Sequence, residues 1–369
     1  MIWKAGLHWL TSINLYEIND YMNDKKIFSL FMGYGDGFTF PFYQTVALEA
    51  EKLGFETIWT QDNITGHAPL PRDIEILDTW SFLSAIAATT SKIRVGSMAT
   101  PVIRRSAPLL AKAIASIDMM SNGRVNVGLG TGDDVHQYEM IGQRFPDSII
   151  ERRQILKETI DVMKAMWNEE LANYKGDHFQ LKDAILSPKP IQKPNPPIYI
   201  ACNTSKRLMP RIAAQKADAL AIMWGHDETV IRVINAFQEE WEAAGRSSDN
   251  FRALRSAFII ICDHDDEVKA KQEAKEITGS FSWDEHVQTA SQATVPLGSD
   301  PDLVICGTPE KIANELQERV FDLGFNELMC SFVAGKNIEI ESGGFNRWPG
   351  HWLGGMRLFA EKIMPLLKN

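Results

Sequence analysis

Gly123-Arg124-Val125-Asn126-Val127-Gly128-Leu129-Gly130-Thr131-Gly132-Asp133-Asp134 carries an apolar run straight into three alternating glycines and a carboxylate. The run Val125–Leu129 reads as a strand, and the glycine-rich stretch after it reads as a loop. Seven further short apolar runs share that character: Ile27–Met32, Thr57–Thr60, Ile93–Met98, Ile198–Ala201, Ala219–Met223, Ala257–Cys262 and Glu327–Phe332. Strands covered on both faces read as near-continuous apolar runs, and Phe258-Ile259-Ile260-Ile261 is such a run.

Helical patterns fill the intervals. Val46, Ala47, Leu48, Ala50 and Leu53 fall largely on one stripe that Gly54 closes. Ile155, Ile160, Val162, Met163, Met166 and Trp167 mark a longer helix after the fourth strand. Thr308-Pro309-Glu310 reads as an N-cap, a first-turn proline and an acid that suits the helix dipole, and Gly324 ends that helix. A closing helix is expected from about Trp352 to Leu367. Alternating β and α leaves an open doubly wound sheet or a closed barrel, and eight repeats favour a single (β/α)8 TIM barrel over residues 26–369. Its long loops are Gly130–Ser148 and Gly279–Leu303, with an insertion at about 279–305. Residues 1–25 read as an N-terminal extension, with translation expected to begin at Met22.

The 369 residues are 44% hydrophobic and 23% charged, enough to bury a sizeable core. With 48 acidic against 38 basic side chains, the net charge of −10 disfavours nucleic acid and anionic membranes as partners. Cys202, Cys262, Cys306 and Cys330 form no C-x-x-C pair, so neither a zinc knuckle nor a dithiol motif is expected, and no metal is assigned. Buried free thiols in a reducing cytoplasm are the expectation. No targeting or transmembrane segment is read.

Four strand-end clusters can carry chemistry. Gly128, Gly130 and Gly132 recur at every second residue, unlike a G-x-G-x-x-G fingerprint; they read either as a backbone cradle for a phosphate or as a tight turn. Trp59-Thr60-Gln61-Asp62-Asn63, with His67 beyond, reads as polar groups at a barrel mouth or as an Asx turn. Val95-Gly96-Ser97-Met98-Ala99-Thr100-Pro101 follows the third strand. Ile200-Ala201-Cys202-Asn203-Thr204-Ser205 is an anion site or a serine cap. Trp348, His351 and Trp352 either line a pocket or anchor the last helix.

Taken in order, these pieces resemble the bacterial luciferase-like superfamily of flavin and deazaflavin oxidoreductases. The matching landmarks include Ala50-Glu51-Lys52-Leu53-Gly54-Phe55, Ile93-Arg94-Val95-Gly96, Asp118, Arg152-Arg153, Tyr174-Lys175-Gly176-Asp177-His178-Phe179 and Gly307-Thr308-Pro309-Glu310, over residues 26 to 335. The resemblance implies a (β/α)8 barrel with FMN or coenzyme F420 at its mouth. It also implies a non-prolyl cis peptide at Met98–Ala99 behind the ring, Asp62 near the ring, and Thr131, Gly132, Cys202, Asn203 and Thr204 near the cofactor phosphate. Gly130-Thr131-Gly132-Asp133 is most similar to the F420-dependent branch, and among its members to the methylenetetrahydromethanopterin reductases. Asp133 is therefore the expected acid/base, with Asp134 as its like-charged neighbour. F420-dependent dehydrogenases carry histidine where this chain has Asn63, which hydrogen-bonds but takes no proton; His67 or His136 are substitutes. The function expected is F420-dependent hydride transfer with a small-molecule substrate. The alternatives are an FMN-dependent monooxygenase served by a flavin reductase and a non-catalytic flavin-binding barrel. A homodimer through the second and third helices is expected.

Overall fold

The computed structural model describes residues 25–33, 38–66, 75–203, 205, 207–223, 225, 227–278, 304–339, 342–345 and 347–368. Along the chain the elements are β1 (Ile27–Met32), α1 (Phe40–Leu53), β2 (Thr57–Thr60), α2 (Thr79–Thr89), β3 (Arg94–Pro101), α3 (Ala107–Met120) and β4 (Val125–Gly130). Then come α4 (Val135–Glu139), α5 (Ile149–Asn168), β5 (Ala172–Lys175), β6 (Gln180–Ala184), β7 (Ile198–Ala201), α6 (Leu208–Lys216), β8 (Ala219–Ile222), α7 (Asp227–Ala243) and β9 (Ala253–Ile261). The last are α8 (Glu267–Thr278), β10 (Val304–Gly307), α9 (Pro309–Leu316), β11 (Glu327–Ala334), α10 (Arg347–Leu358) and α11 (Met364–Leu367). Among the described residues no helix is long and apolar enough to cross a membrane.

Eight of these strands close a parallel barrel in the order β1-β2-β3-β4-β7-β8-β9-β11, with β11 returning to β1. They coincide with the eight apolar runs of the sequence, though β9 begins at Ala253 and β3 continues through Pro101. Two features depart from that reading. The segment Val304–Gly307, whose first two residues fall in the insertion read at about 279–305, forms a further strand, β10. It pairs with the upper half of β9, Phe258 to Ile261, on the edge that β8 has already left. Residues 279–303 lie outside the described residues. The second departure is the antiparallel β5–β6 hairpin. Its turn amides Asp177, His178 and Phe179 all donate to Glu158 of α5, at 3.1, 2.9 and 3.2 Å. A Cβ on Gly176 would collide with that carboxylate, which accounts for the glycine in the landmark.

Helix α1 ends at Gly54 in the left-handed region (φ 84°), where a side chain is disfavoured. Its buried face is Phe42, Tyr43, Val46, Ala47 and Ala50; Leu48, placed on that stripe by periodicity, is exposed. Thr308 caps α9 by accepting from the Lys311 amide. His351 bonds the Ala334 carbonyl through Nδ1 at 2.8 Å, and Trp352 packs edge-on against Phe42 and Phe332. The anchoring role therefore holds for these two residues; the Trp348 side chain lies outside the described set. All four cysteines are buried and free.

Inside the barrel, Trp59, Met98, Tyr199, Ala219, Ala221, Met223, Leu254 and Met329 form a compact layer. Beneath it lies one buried carboxylate. Glu327, 0% exposed, accepts from Ser29 Oγ (2.6 Å), Trp59 Nε1 (3.3 Å), Tyr199 Oη (3.0 Å) and Arg252 Nε (2.8 Å). Removing one partner of such a pair leaves a charge in a dry interior. Glu327→Ala is expected to lower unfolding free energy by about 3–5 kcal/mol; a loss under about 1 kcal/mol in urea titration would contradict this role.

Glu51 of α1 performs a similar service at the surface. It accepts from the backbone amides of Ser91, Lys92 and Ile93 and from Ser91 Oγ, which fixes the entry to β3. Burial alone would raise its pKa, but the three amides outweigh burial and hold it at about 2, below the ordinary 4.5. The stabilisation is thus present above pH 4.5 and is lost as pH falls toward 2. Glu51→Gln is expected to cost about 1–2 kcal/mol at neutral pH. Its stability curve should converge with the parent's below pH 4.5; parallel curves over that window would show that the amides do not depend on the charge.

Candidate functional site

The carboxyl ends of the barrel strands share one mouth, and the β3–β4 pair shapes its floor. The Met98–Ala99 peptide is cis, and the ladder shifts register between Ser97 and Thr100 before resuming at Thr100↔Leu129 and Pro101↔Gly130. Gly128 makes this bulge possible: a Cβ there would run into the Ser97 carbonyl and lie 3.2 Å from Met98 Sδ. Above the bulge, Ala99, Gly130 and Ala201 stand side by side on β3, β4 and β7. A Cβ on Gly130 would lie 3.6 Å from Ala99 Cβ and 3.9 Å from Ala201 Cβ. All three are partly exposed and rest on the buried Trp59–Met98–Tyr199 layer, whose two rings meet edge-on at 4.8 Å. The result is a low shelf of small side chains on a rigid aromatic base.

Asp62, just beyond β2, is 2% exposed and fully engaged. Arg105 grips it with two bonds of 2.8 Å, and Thr100 Oγ1 donates to it at 2.9 Å. Arg104 donates to its carbonyl. Trp80 Nε1 reaches Thr100 at 3.2 Å, and Arg105 also holds Asp78, the N-cap of α2, at 2.6 Å. Burial alone would lower the Arg105 pKa, but the two carboxylates outweigh it and hold the guanidinium above its ordinary value. Asp62 is thus placed beside the bulge as an anchor of the loop after β3.

The loop after β4 is tied to its neighbours in the same way. Gly132 has φ 77°, and a Cβ there would collide with the Tyr138 hydroxyl. Arg152 donates to the Gly132 carbonyl at 3.1 Å. Tyr138 is completely buried under the Arg104 guanidinium, and burial pushes its phenol up to about 12. Thr131 is partly exposed. Asp133 is exposed at the loop tip, where its Oδ1 accepts from the Asp134 amide at 2.9 Å. Asp134 caps α4 through the His136 amide and accepts from Gln137 Nε2, while Gln137 Oε1 accepts from the Ile64 amide at 2.8 Å. Asp134 therefore links the β4 loop to the β2 loop.

After β7, Cys202 is 4% exposed and its amide bonds the Ala221 carbonyl. Asn203 Oδ1 accepts from the Met223 amide at 2.9 Å, tying this loop to the end of β8. Ser205 Oγ accepts from the Met209 amide in the first turn of α6, which is the capping reading of the cluster. The structure thus gathers Asp62, Asn63, Met98, Ala99, Gly130, Thr131, Gly132, Asp133, Cys202 and Asn203 at one end of the barrel. His67 and Thr204 lie outside the described residues. Sequence reading places Ala201 in a strand-end cluster without giving it a role of its own, and passes over Arg104, Arg105 and Gln137. The adjacent arginines after Thr100-Pro101, close in the fold to an otherwise uncompensated Asp62, were the available cue; Gln137 offered none.

Residues 29–327 match the family model described as luciferase-like monooxygenase. The F420-dependent glucose-6-phosphate dehydrogenase of Amycolatopsis mediterranei is 31% identical over 164 residues, 42% of this chain and 45% of that relative. The chain thus matches less than half of that relative's length. An uncharacterized protein of Mycobacterium tuberculosis is 32% identical over 211 residues, 53% of this chain and 72% of its own length. Among solved structures, an F420-dependent secondary alcohol dehydrogenase in complex with an F420–acetone adduct superposes with a TM-score of 0.72 at 20% identity, covering 94% of this chain and 100% of that one. At that identity the likeness speaks for the fold.

The shelf yields its own test. Gly128→Ala forces β3 and β4 apart at the bulge, so the roughly 0.5–1 kcal/mol that alanine ordinarily gains over glycine in a helix or strand is expected to turn into a loss of about 1–3 kcal/mol. Thermal unfolding that leaves the variant within about half a kcal/mol of the parent would show that the close approach is not required.

Proposed function

The chain belongs to the luciferase-like monooxygenase family, and from that premise we propose that it is an F420-dependent oxidoreductase moving hydride to or from a small organic substrate at this mouth. The observation that carries the reading is the shelf. Ala99, Gly130 and Ala201 leave room above a rigid base for a planar ring, which larger side chains on any of the three strands would fill. Kinship to F420-dependent dehydrogenases turns the choice from FMN to the deazaflavin. When bound, the deazaflavin supplies a hydride-carrying carbon where a flavin has N5, and does not activate oxygen.

In this reading Thr131, Gly132, Cys202, Asn203 and Thr204 line the phosphate end, with Met98 and Ala99 behind the ring. Asp62 acts through Arg105 and Thr100 by holding the bulge in place. Asn63 takes no proton, so we assign the proton to the Asp133 carboxylate, which faces solvent at the edge of the shelf. That assignment points to carbonyl, imine or alkene substrates and away from the sugar-phosphate oxidation of the histidine-bearing relatives. We also assign a two-fold contact of a homodimer to α2 and α3, since α3 exposes Leu109, Met119 and Met120 at 72%, 55% and 60%.

Fluorescence titration of the apoprotein is expected to show tight binding of F420 and weak binding of FMN. Preference for FMN would instead make oxygen chemistry with a reductase partner the function. Once a substrate is found among carbonyl, imine and alkene compounds, Asp133→Asn should leave F420 affinity nearly intact and lower turnover about 10²-fold or more. Weakened binding with unchanged turnover would remove Asp133 from the acid/base role.

A further inference from the structure

Beyond the shelf, the segment after β9 turns across the upper end of the sheet and meets α8. Cys262 directly follows β9 and is 1% exposed; Glu273, on the inner face of α8, is 8% exposed. His264 stands between them. One ligand atom from each, the Cys262 sulfur, a His264 ring nitrogen and a Glu273 carboxylate oxygen, lies within 4.8 Å of the other two.

These groups are poorly satisfied by the protein. The other deeply buried glutamates are saturated: Glu327 accepts from four donors and Glu158 from three turn amides and Gln154. Glu273 receives the Lys336 amide at a long 3.3 Å, with Lys269 Nζ at 3.9 Å and His264 Nε2 at 3.5 Å. His264 Nε2 is shielded from solvent and has no hydrogen-bond partner among the described residues. Their apolar surroundings are Ile260, Ala270, Ala274, Cys306 and Val333. Buried polar groups left this way call for a missing partner. Gly335 keeps the space beside them clear, since a Cβ there would lie 3.0 Å from Glu273 Oε2 and 3.1 Å from Cys262 Sγ.

We propose that Cys262, His264 and Glu273 bind a divalent transition-metal ion of the zinc class, which clamps α8 onto the upper ends of β9 and β11. Sulfur, imidazole and carboxylate donors together suit such an ion and exclude magnesium or calcium, which take oxygen ligands. Bond lengths of about 2.0–2.3 Å put ligand atoms roughly 3.3–3.8 Å apart around a tetrahedral centre. His264 Nε2 and Glu273 Oε1, 3.5 Å apart, already meet that spacing, and no pair needs to close in by more than about 1.5 Å. Two protons move on binding. The Cys262 thiol, which burial and then Glu273 push up to about 12 in the metal-free protein, releases its proton to solvent. The imidazole shifts its proton from Nε2 to Nδ1 and gives up the long 3.3 Å bond from the Asp266 amide. Three protein ligands leave a fourth position for water.

The test uses the full chain, stripped with chelator and titrated with Co²⁺. Expected are saturation at about one equivalent, a thiolate-to-cobalt charge-transfer band in the near ultraviolet and a raised unfolding midpoint on replacing Co²⁺ by Zn²⁺. Cys262→Ser should abolish the band, and His264→Gln, at a partly exposed side chain that the fold tolerates, should weaken Co²⁺ binding more than about tenfold. A wild-type protein with no band, a band that survives in Cys262→Ser, or unchanged affinity in His264→Gln would each overturn the site.

Discussion

A single negative charge at the bottom of the barrel organises what stands above it. Glu327 lies where water cannot solvate it, so its oxygens must be met by donors from several strands at once. Ser29 comes from β1, Trp59 from β2, Tyr199 from β7 and Arg252 from the turn before β9. Meeting that demand orients the Trp59 and Tyr199 rings, and those rings carry Met98 and the bulge. Gly96 belongs to the same arrangement, because a Cβ there would stand 2.5 Å from the Trp59 ring. The shelf is level because the layer under it has one way to pack.

The loops around the mouth are held by side chains that reach from one loop to the next. Asp62 with Arg105 joins the ends of β2 and β3, Asp134 with Gln137 joins β4 to β2, and Asn203 joins β7 to β8. Side-chain bonds of this kind, charge-assisted at Asp62 and Asp134, restrict loops that would otherwise sample many conformations. Groups held in this way are ordered before any ligand arrives, which lowers the entropy cost of binding to them.

Strand content was legible because strands covered on both faces are mostly apolar, and each of the eight barrel strands carries a short apolar run even where a buried polar residue such as Asn126 or Glu327 interrupts it. β10 escaped notice because Val304 and Ile305 fall inside the stretch read as an insertion, and eight runs already completed a barrel. The β5–β6 hairpin escaped because it is half exposed and held by Glu158, 14 residues before β5 begins at Ala172. At the site, Gly128 and Gly132 stand where a Cβ would meet backbone or a ring, whereas one on Gly130 would meet only the Ala99 and Ala201 methyls. The partners of Asp62 and Asp134 were not legible, because a hydrogen bond between loops leaves no spacing to read. The Cys262–His264–Glu273 group shows the same limit: two of its members are close in sequence, but the third arrives on a different element.

The position of β10 separates two tasks that a barrel usually performs together. Ring closure is completed low down, where β8 pairs with Ala253 to Arg255 of β9; β10 joins the same strand higher up, after β8 has left it. The ring is therefore complete without β10, which adds a second, short ladder to the upper half of β9. Parting β10 from Phe258–Ile261 would break its own ladder and leave the eight-strand ring paired. Local opening of β10 thus reaches only the upper end of β9, while the ring below it stays closed.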